Sequence, residues 1–206
     1  MLYSLTTDNP VLEEVKVAQS RFIFKEYLRV YVMWSSLGLS GLFLASYLAA
    51  RTDMSSEDIA IALLLAIPLI WLSVIDLDRF VIPDISIIWI VLSGLAIQLQ
   101  LGTLNAGTYL FEGLLTFVFM YAFSELARKW LQKTALGFGD VKLLGASAIW
   151  IGAMGISSAI LLASVAGILF AAIMWLLKKR RIDAPVPFGP FIAFGVWAVW
   201  LFGPLN

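Results

Sequence analysis

Ile59-Ala60-Ile61-Ala62-Leu63-Leu64-Leu65-Ala66-Ile67-Pro68-Leu69-Ile70-Trp71-Leu72-Ser73-Val74-Ile75 runs without a charge and then meets Asp76. The run does not alternate apolar with polar residues, which argues against a barrel strand. Its length approaches the roughly 20 residues that carry an α-helix across a bilayer core. Six further apolar runs lie at 30–50, 85–101, 108–127, 141–151, 156–177 and 191–202, of which 108–127 carries Glu112 and Glu125 and 141–151 carries Lys142. Composition agrees: 61% of the 206 residues are hydrophobic and 14% charged, with a mean hydropathy of +0.93. Soluble domains carry about 45–50% apolar and about 25% charged residues. The expected fold is all-α, a polytopic membrane protein of about seven transmembrane helices. Residues 30–206 would form the embedded domain. Residues 1–29 are polar, and read equally well as an amphipathic surface helix or a solvated tail.

Charge sets the direction. If the segments holding 128–142 face the cytoplasm and the spans alternate, then 1–29, 76–84 and 178–187 face it too. Thirteen of the fourteen basic residues then lie inside and only Arg51 falls outside, as the positive-inside rule requires. This predicts a cytoplasmic N-terminus, an external C-terminus and a multi-pass inner-membrane protein in contact with lipid. No apolar h-region precedes residue 30, so no cleavable signal peptide is expected. Local signals add detail. Ser55 or Ser56 is placed to cap the second run, Pro68 to kink it, and the residues at 152–155 to connect the fifth and sixth. The cluster at 178–181 reads as a topology anchor.

The chain contains no cysteine and no histidine. Disulfides, Cys/His zinc sites and Ser-His-Asp or Cys-His nucleophile systems are therefore excluded, and no metal or cofactor is expected. A formal net charge of zero gives no sign of a nucleic-acid partner. Acid–base chemistry must rest on Asp, Glu, Lys, Arg or Tyr. Two carboxylates stand out because each sits where an apolar run meets a polar break, a costly place for a charge without a function. One is Asp76, in Ile75-Asp76-Leu77-Asp78-Arg79-Phe80-Val81-Ile82-Pro83-Asp84. The other is Asp140, in Gly137-Phe138-Gly139-Asp140-Val141-Lys142. The topology puts both on the cytoplasmic side. Two carboxylates in a low-dielectric site do not both ionise easily, so one can act as general acid while the other activates water. Gly137 and Gly139 would allow tight backbone and close approach of a substrate. Lys142 would tune the local charge or anchor a substrate carbonyl. The small residues of 141–151, with Gly145 and Ala148 at i, i+3, offer a face for a substrate helix.

Gly137-Phe138-Gly139-Asp140 resembles the Gly-x-Gly-Asp motif of intramembrane aspartyl proteases. Asp76 followed by Ile82-Pro83-Asp84, the stretch 137–144, and Pro187-Phe188-Gly189-Pro190-Phe191 further resemble the type IV prepilin peptidases, over about residues 30–203. The resemblance implies removal of the basic leader from prepilins or pseudopilins at the cytoplasmic membrane face. Asp76 and Asp140 would be its catalytic pair, with Gly137, Gly139, Lys142 and Pro83 in support. Longer bacterial members carry an extra cytoplasmic domain with paired cysteines and also N-methylate the product. The absence of cysteine here implies a peptidase without the methyltransferase activity.

Rival readings attach to several residues. Asp78 competes with Asp76, which is preferred for its family spacing and deeper position. Asp84 reads as a helix cap, and Glu125 as an i, i+3 partner of Arg128; Glu112 has no explanation in the sequence. A small proton-coupled transporter would also use intramembrane acids, but both acids lie near one face. A presenilin-like protease is the other alternative, disfavoured by the Pro-Phe-Gly-Pro block.

Overall fold

The computed structural model describes residues 56–100, 106–131, 136–176 and 186–205. Apart from short connections these residues are helical: α1 (Ser56–Arg79), α2 (Asp84–Gln100), α3 (Ala106–Leu131), α4 (Phe138–Leu176) and α5 (Gly189–Phe202). α1, α3 and α4 contain stretches long and apolar enough to cross a membrane, and α2 and α5 are shorter apolar helices. The all-α expectation holds for these residues. The segment 1–29, the run at 30–50, Ser55 and the cluster at 178–181 lie outside the described residues, and with them the full span count and the sidedness of the N-terminus.

Helix ends depart from the hydropathy pattern in an informative way. α1 does not stop at the first charge but continues past Asp76 to Arg79. Asp76 is thus a residue of the last helical turn rather than of a loop. The turn closes when the Phe80 N–H donates to the Asp76 carbonyl at 2.8 Å, with Phe80 in the left-handed region at φ 56°. A bulky residue there costs of order 1–3 kcal/mol. The turn it makes sends Ile82 into the core, where it is 6% exposed. Pro68 lies inside α1 with its ring fully buried, and the helix continues through it.

α4 is two helices joined at Gly152, whose φ of 72° and ψ of 163° are open only to glycine. The chain folds back there. In the second limb Gly155 packs on Val199, Gly195 closes on the Ala159 carbonyl, and Gly167 meets Phe188 and Phe191. That descending register is antiparallel to α5 and returns the limb to the end from which the first limb set out. The two limbs correspond to the separate runs expected at 141–151 and 156–177. The reversal also explains Glu112. Its Oε2 accepts the Ala153 N–H at 2.8 Å, supplying the acceptor that the first turn of a new helix lacks. In an apolar surrounding an unpaired N–H costs several kcal/mol.

Leu65, Leu69 and Leu72 of α1, Ile90 of α2, Leu143 and Leu144 of α4, and Ile192 and Val196 of α5 are fully buried together. Hydrogen bonds across helices fix their register. Trp89 Nε1 donates to the Leu64 carbonyl at 3.1 Å, Trp150 Nε1 to Ile90 at 2.8 Å, and Gln98 Nε2 to Ile149 at 3.3 Å. Lipid offers no hydrophobic force between helices, so close contact depends on small residues. At the α3–α4 crossing a Cβ on Gly113 would fall 3.0 Å from the Gly145 carbonyl. The rest of α3 turns large apolar side chains such as Phe111, Leu115 and Phe119 outward, as a lipid-facing helix does.

Candidate active site

The site is built from three helix ends. Asp76 comes from the last turn of α1 and is only 5% exposed. Its Oδ2 accepts the backbone N–H of Gly189, the first residue of α5, at 2.9 Å. A helix N-terminus presents unpaired N–H groups and a partial positive charge, and Pro190 withdraws one such N–H, leaving Gly189 beside it as donor. The glycine is sterically required, because a Cβ there would lie 2.7 Å from Asp76 Oδ2.

Asp140 occupies the first turn of α4 and is half-buried. Its Oδ2 accepts the Gly137 N–H at 3.2 Å, while the Val141 N–H donates to the Gly137 carbonyl at 3.1 Å. This is the carboxylate half of a capping box. The two aspartates therefore share one design: Oδ2 is held by a glycine N–H at a helix start. The Asp140 carboxylate lies within Coulombic reach of Asp76, so the fold brings the two expected acids to one site.

The supporting residues differ in part from their expected roles. Gly137 and Gly139 have no unusual backbone angles; among the described residues only Gly152 and Gly203 are glycines with positive φ. They are small because of what they touch. A Cβ on Gly139 would sit 3.2 Å from Ile82 Cβ, and one on Gly137 would sit 3.0 Å from Asp140 Oδ2. Ile82, delivered by the Phe80 turn, is thus the piece that seats the Gly-x-Gly-Asp stretch on the α1–α2 connection. Lys142 turns to Asp84, with which it forms an ion pair, and its ammonium lies 5.2 Å from the centre of the Phe138 ring. It clamps the start of α4 to the start of α2. Asp84, expected as a cap, is the acid that holds it. Pro83 precedes α2 and its carbonyl accepts the Ser86 N–H at 3.1 Å.

The rival acids are placed elsewhere. Asp78 is exposed and pairs with the adjacent Arg79 at 3.5 Å. Glu125 pairs with Arg128 as expected. The face expected to receive a substrate helix is already taken, since Ala148 is fully buried and Gly145 is pressed against Gly113 and Phe117 of α3. Gly189 is the residue that sequence reasoning missed. Its only signal was the Pro187-Phe188-Gly189-Pro190 stretch, in which a donor stands between prolines at a helix start.

Comparison with known proteins covers this same region. The sequence model of the family described as "Type IV leader peptidase family" matches residues 63–172, more than half of the chain and including both aspartates. The chain is similar to proteins named "Prepilin leader peptidase/N-methyltransferase". That of Aeromonas salmonicida is 29% identical over 160 residues, covering 78% of this chain and 55% of that protein. That of Xanthomonas campestris pv. campestris is 33% identical over 146 residues, covering 69% and 50%. That of Pseudomonas aeruginosa is 30% identical over 142 residues, covering 68% and 49%. The chain thus spans about half the length of these relatives. No solved structure matches. With two acids drawn together from separate helices and a family match that spans both, the chain belongs to the type IV leader peptidase family.

Proposed function

We propose that the protein is a membrane aspartyl endopeptidase that removes the basic leader from type IV prepilins or pseudopilins. It would act at the cytoplasmic face of the inner membrane as a multi-pass protein. The observation that carries this reading is the paired geometry of Asp76 and Asp140, each with Oδ2 on a glycine N–H at a helix start. The names of the relatives supply the substrate class.

In the singly protonated pair the ionised aspartate takes a proton from water as the oxygen attacks the scissile carbonyl, and the protonated one donates to the carbonyl oxygen. Collapse of the tetrahedral intermediate sends a proton to the leaving amine. One water is consumed, and one acid and one amine are produced. The glycine N–H groups fix the two carboxylates in orientation so that little reorganisation is left for the reaction. The leader peptidase activity is proposed alone, without the N-methyltransferase function in the relatives' names. The absence of cysteine from the 206 residues supports that restriction.

Co-expression with a prepilin and a gel assay for loss of the leader tests the assignment. Asp76→Asn and Asp140→Asn should each lower cleavage by about 10²–10⁴-fold or more, with the protein still inserted. Asp78→Asn should stay within a few fold of the parent. Substantial processing by either well-inserted Asp76 or Asp140 variant would remove that residue from the mechanism, and inactivation by Asp78→Asn alone would move the assignment two residues along α1.

A further inference from the structure

Among the described residues, the two helices that carry the acids do not pack on each other. α1 holds Asp76 and α4 holds Asp140, and each packs instead on α2 and on α5. The separation of the carboxylates is therefore set by what bridges the two helices. One bridge is α5, whose first residue, Gly189, donates to Asp76. The other is the connection from α1 to α2, which two contacts tie to the start of α4. A Cβ on Gly139 would fall 3.2 Å from Ile82 Cβ, and the Lys142 ammonium forms an ion pair with Asp84. On the α4 side these contacts bracket Asp140. On the other side they bracket Pro83, whose ring leaves the backbone little freedom to give.

Lys142 is itself held on two sides. Its ammonium lies 5.2 Å from the centre of the Phe138 ring. That ring makes edge contacts with Phe117 and Tyr121 of α3, at 6.3 and 6.1 Å between centres. Ring and acid together occupy the ammonium that a substrate carbonyl would need. The pair adds little to folding stability, because the Asp84 side chain is 73% exposed and exposed ion pairs contribute little. What it supplies is a fixed distance. Building on the leader-peptidase reading, we infer that Lys142 is a positioning residue: pinned by Asp84, it sets how Asp140 stands relative to Asp76. Without the pair, the first turn of α4 loses one of these two attachments and can pivot on the contact between Gly139 and Ile82. A misplacement of about 1 Å costs about 10²-fold in rate.

The test uses two single substitutions and their combination, assayed on prepilin with the full chain in detergent. Lys142→Met and Asp84→Asn should each lower kcat by about tenfold or more, with KM within about threefold and an unchanged melting temperature. The double variant should be no slower than the slower single one, because both changes remove the same contact. Lys142→Arg keeps the charge, and its kcat should stay within about threefold of the parent. Arg128→Met breaks the exposed pair with Glu125 on α3 and should leave kcat unchanged. A kcat within twofold of the parent for either single variant would overturn the inference. Losses that multiply in the double variant would also overturn it, and would give Lys142 a contact with substrate instead. As a readout independent of turnover, deuterium exchange over 137–144 should be faster in both single variants at equal global stability; unchanged exchange would overturn the clamp. No prepilin cleavage by the parent, or cleavage retained by Asp76→Asn, would count against the leader-peptidase reading, and exchange would then judge the clamp by itself.

Discussion

Replacing Gly189 by alanine adds a Cβ 2.7 Å from Asp76 Oδ2, 3.1 Å from its Cγ and 3.3 Å from its Cβ. All three contacts are to one short side chain anchored on α1, so no flexible end can swing clear. Either the carboxylate rotates away or α5 retreats, and both break the 2.9 Å bond from the Gly189 N–H. A hydrogen bond to a charged group contributes about 1.5–3 kcal/mol, which corresponds to a roughly ten- to 150-fold loss if it is needed in the transition state. The backbone itself gives alanine no difficulty. Gly189 has no positive φ, and alanine is preferred to glycine within a helix by about 1 kcal/mol. The expected result is a kcat for prepilin cleavage down by one to two orders of magnitude, with KM within about threefold and the protein monodisperse in detergent. A kcat within twofold of the parent at unchanged thermal stability would show that the α5 N-terminus does not orient Asp76.

Other outcomes follow from features at and away from the carboxylates. Glu112→Ala strands the Ala153 N–H and should destabilise the protein by about 1–3 kcal/mol, whereas Glu112→Gln keeps an acceptor and should cost less; equal melting temperatures for the parent and both variants would refute the capping role. Cleavage by the purified enzyme should survive EDTA, because two carboxylates suffice to activate water; activity lost and then restored by one divalent ion would replace the aspartyl mechanism with a metal-assisted one. The mature product should keep an unmethylated N-terminus when this is the only enzyme present, and a methyl-sized increment in its intact mass would contradict that expectation.

The helices were legible because most apolar runs are long and uncharged, and the break at Gly152 falls in the stretch 152–155 expected to connect two of them. The end of α1 was not, because hydropathy stops at the first charge while backbone hydrogen bonding continues to Phe80. A bulky residue in a left-handed turn leaves no signature in its own letter. Asp76 and Asp140 could be chosen from position and motif, but the partners that orient and clamp the site could not. Gly189 is 113 positions from Asp76, Lys142 is 58 from Asp84, and Ala153 is 41 from Glu112. Local propensity carries no information about pairings at such separations. Gly137 and Gly139 have ordinary backbone angles, and the atoms a side chain would meet at each, Asp140 Oδ2 and Ile82, come from the fold rather than from the motif's letters.

The dependence of Asp76 on Gly189 also has a temporal side. During translation α1 is made early, the Gly-x-Gly-Asp stretch follows, and α5 is the last described helix to emerge. Until α5 inserts and docks against α1, Asp76 lacks its donor even though both acids already exist in the growing chain.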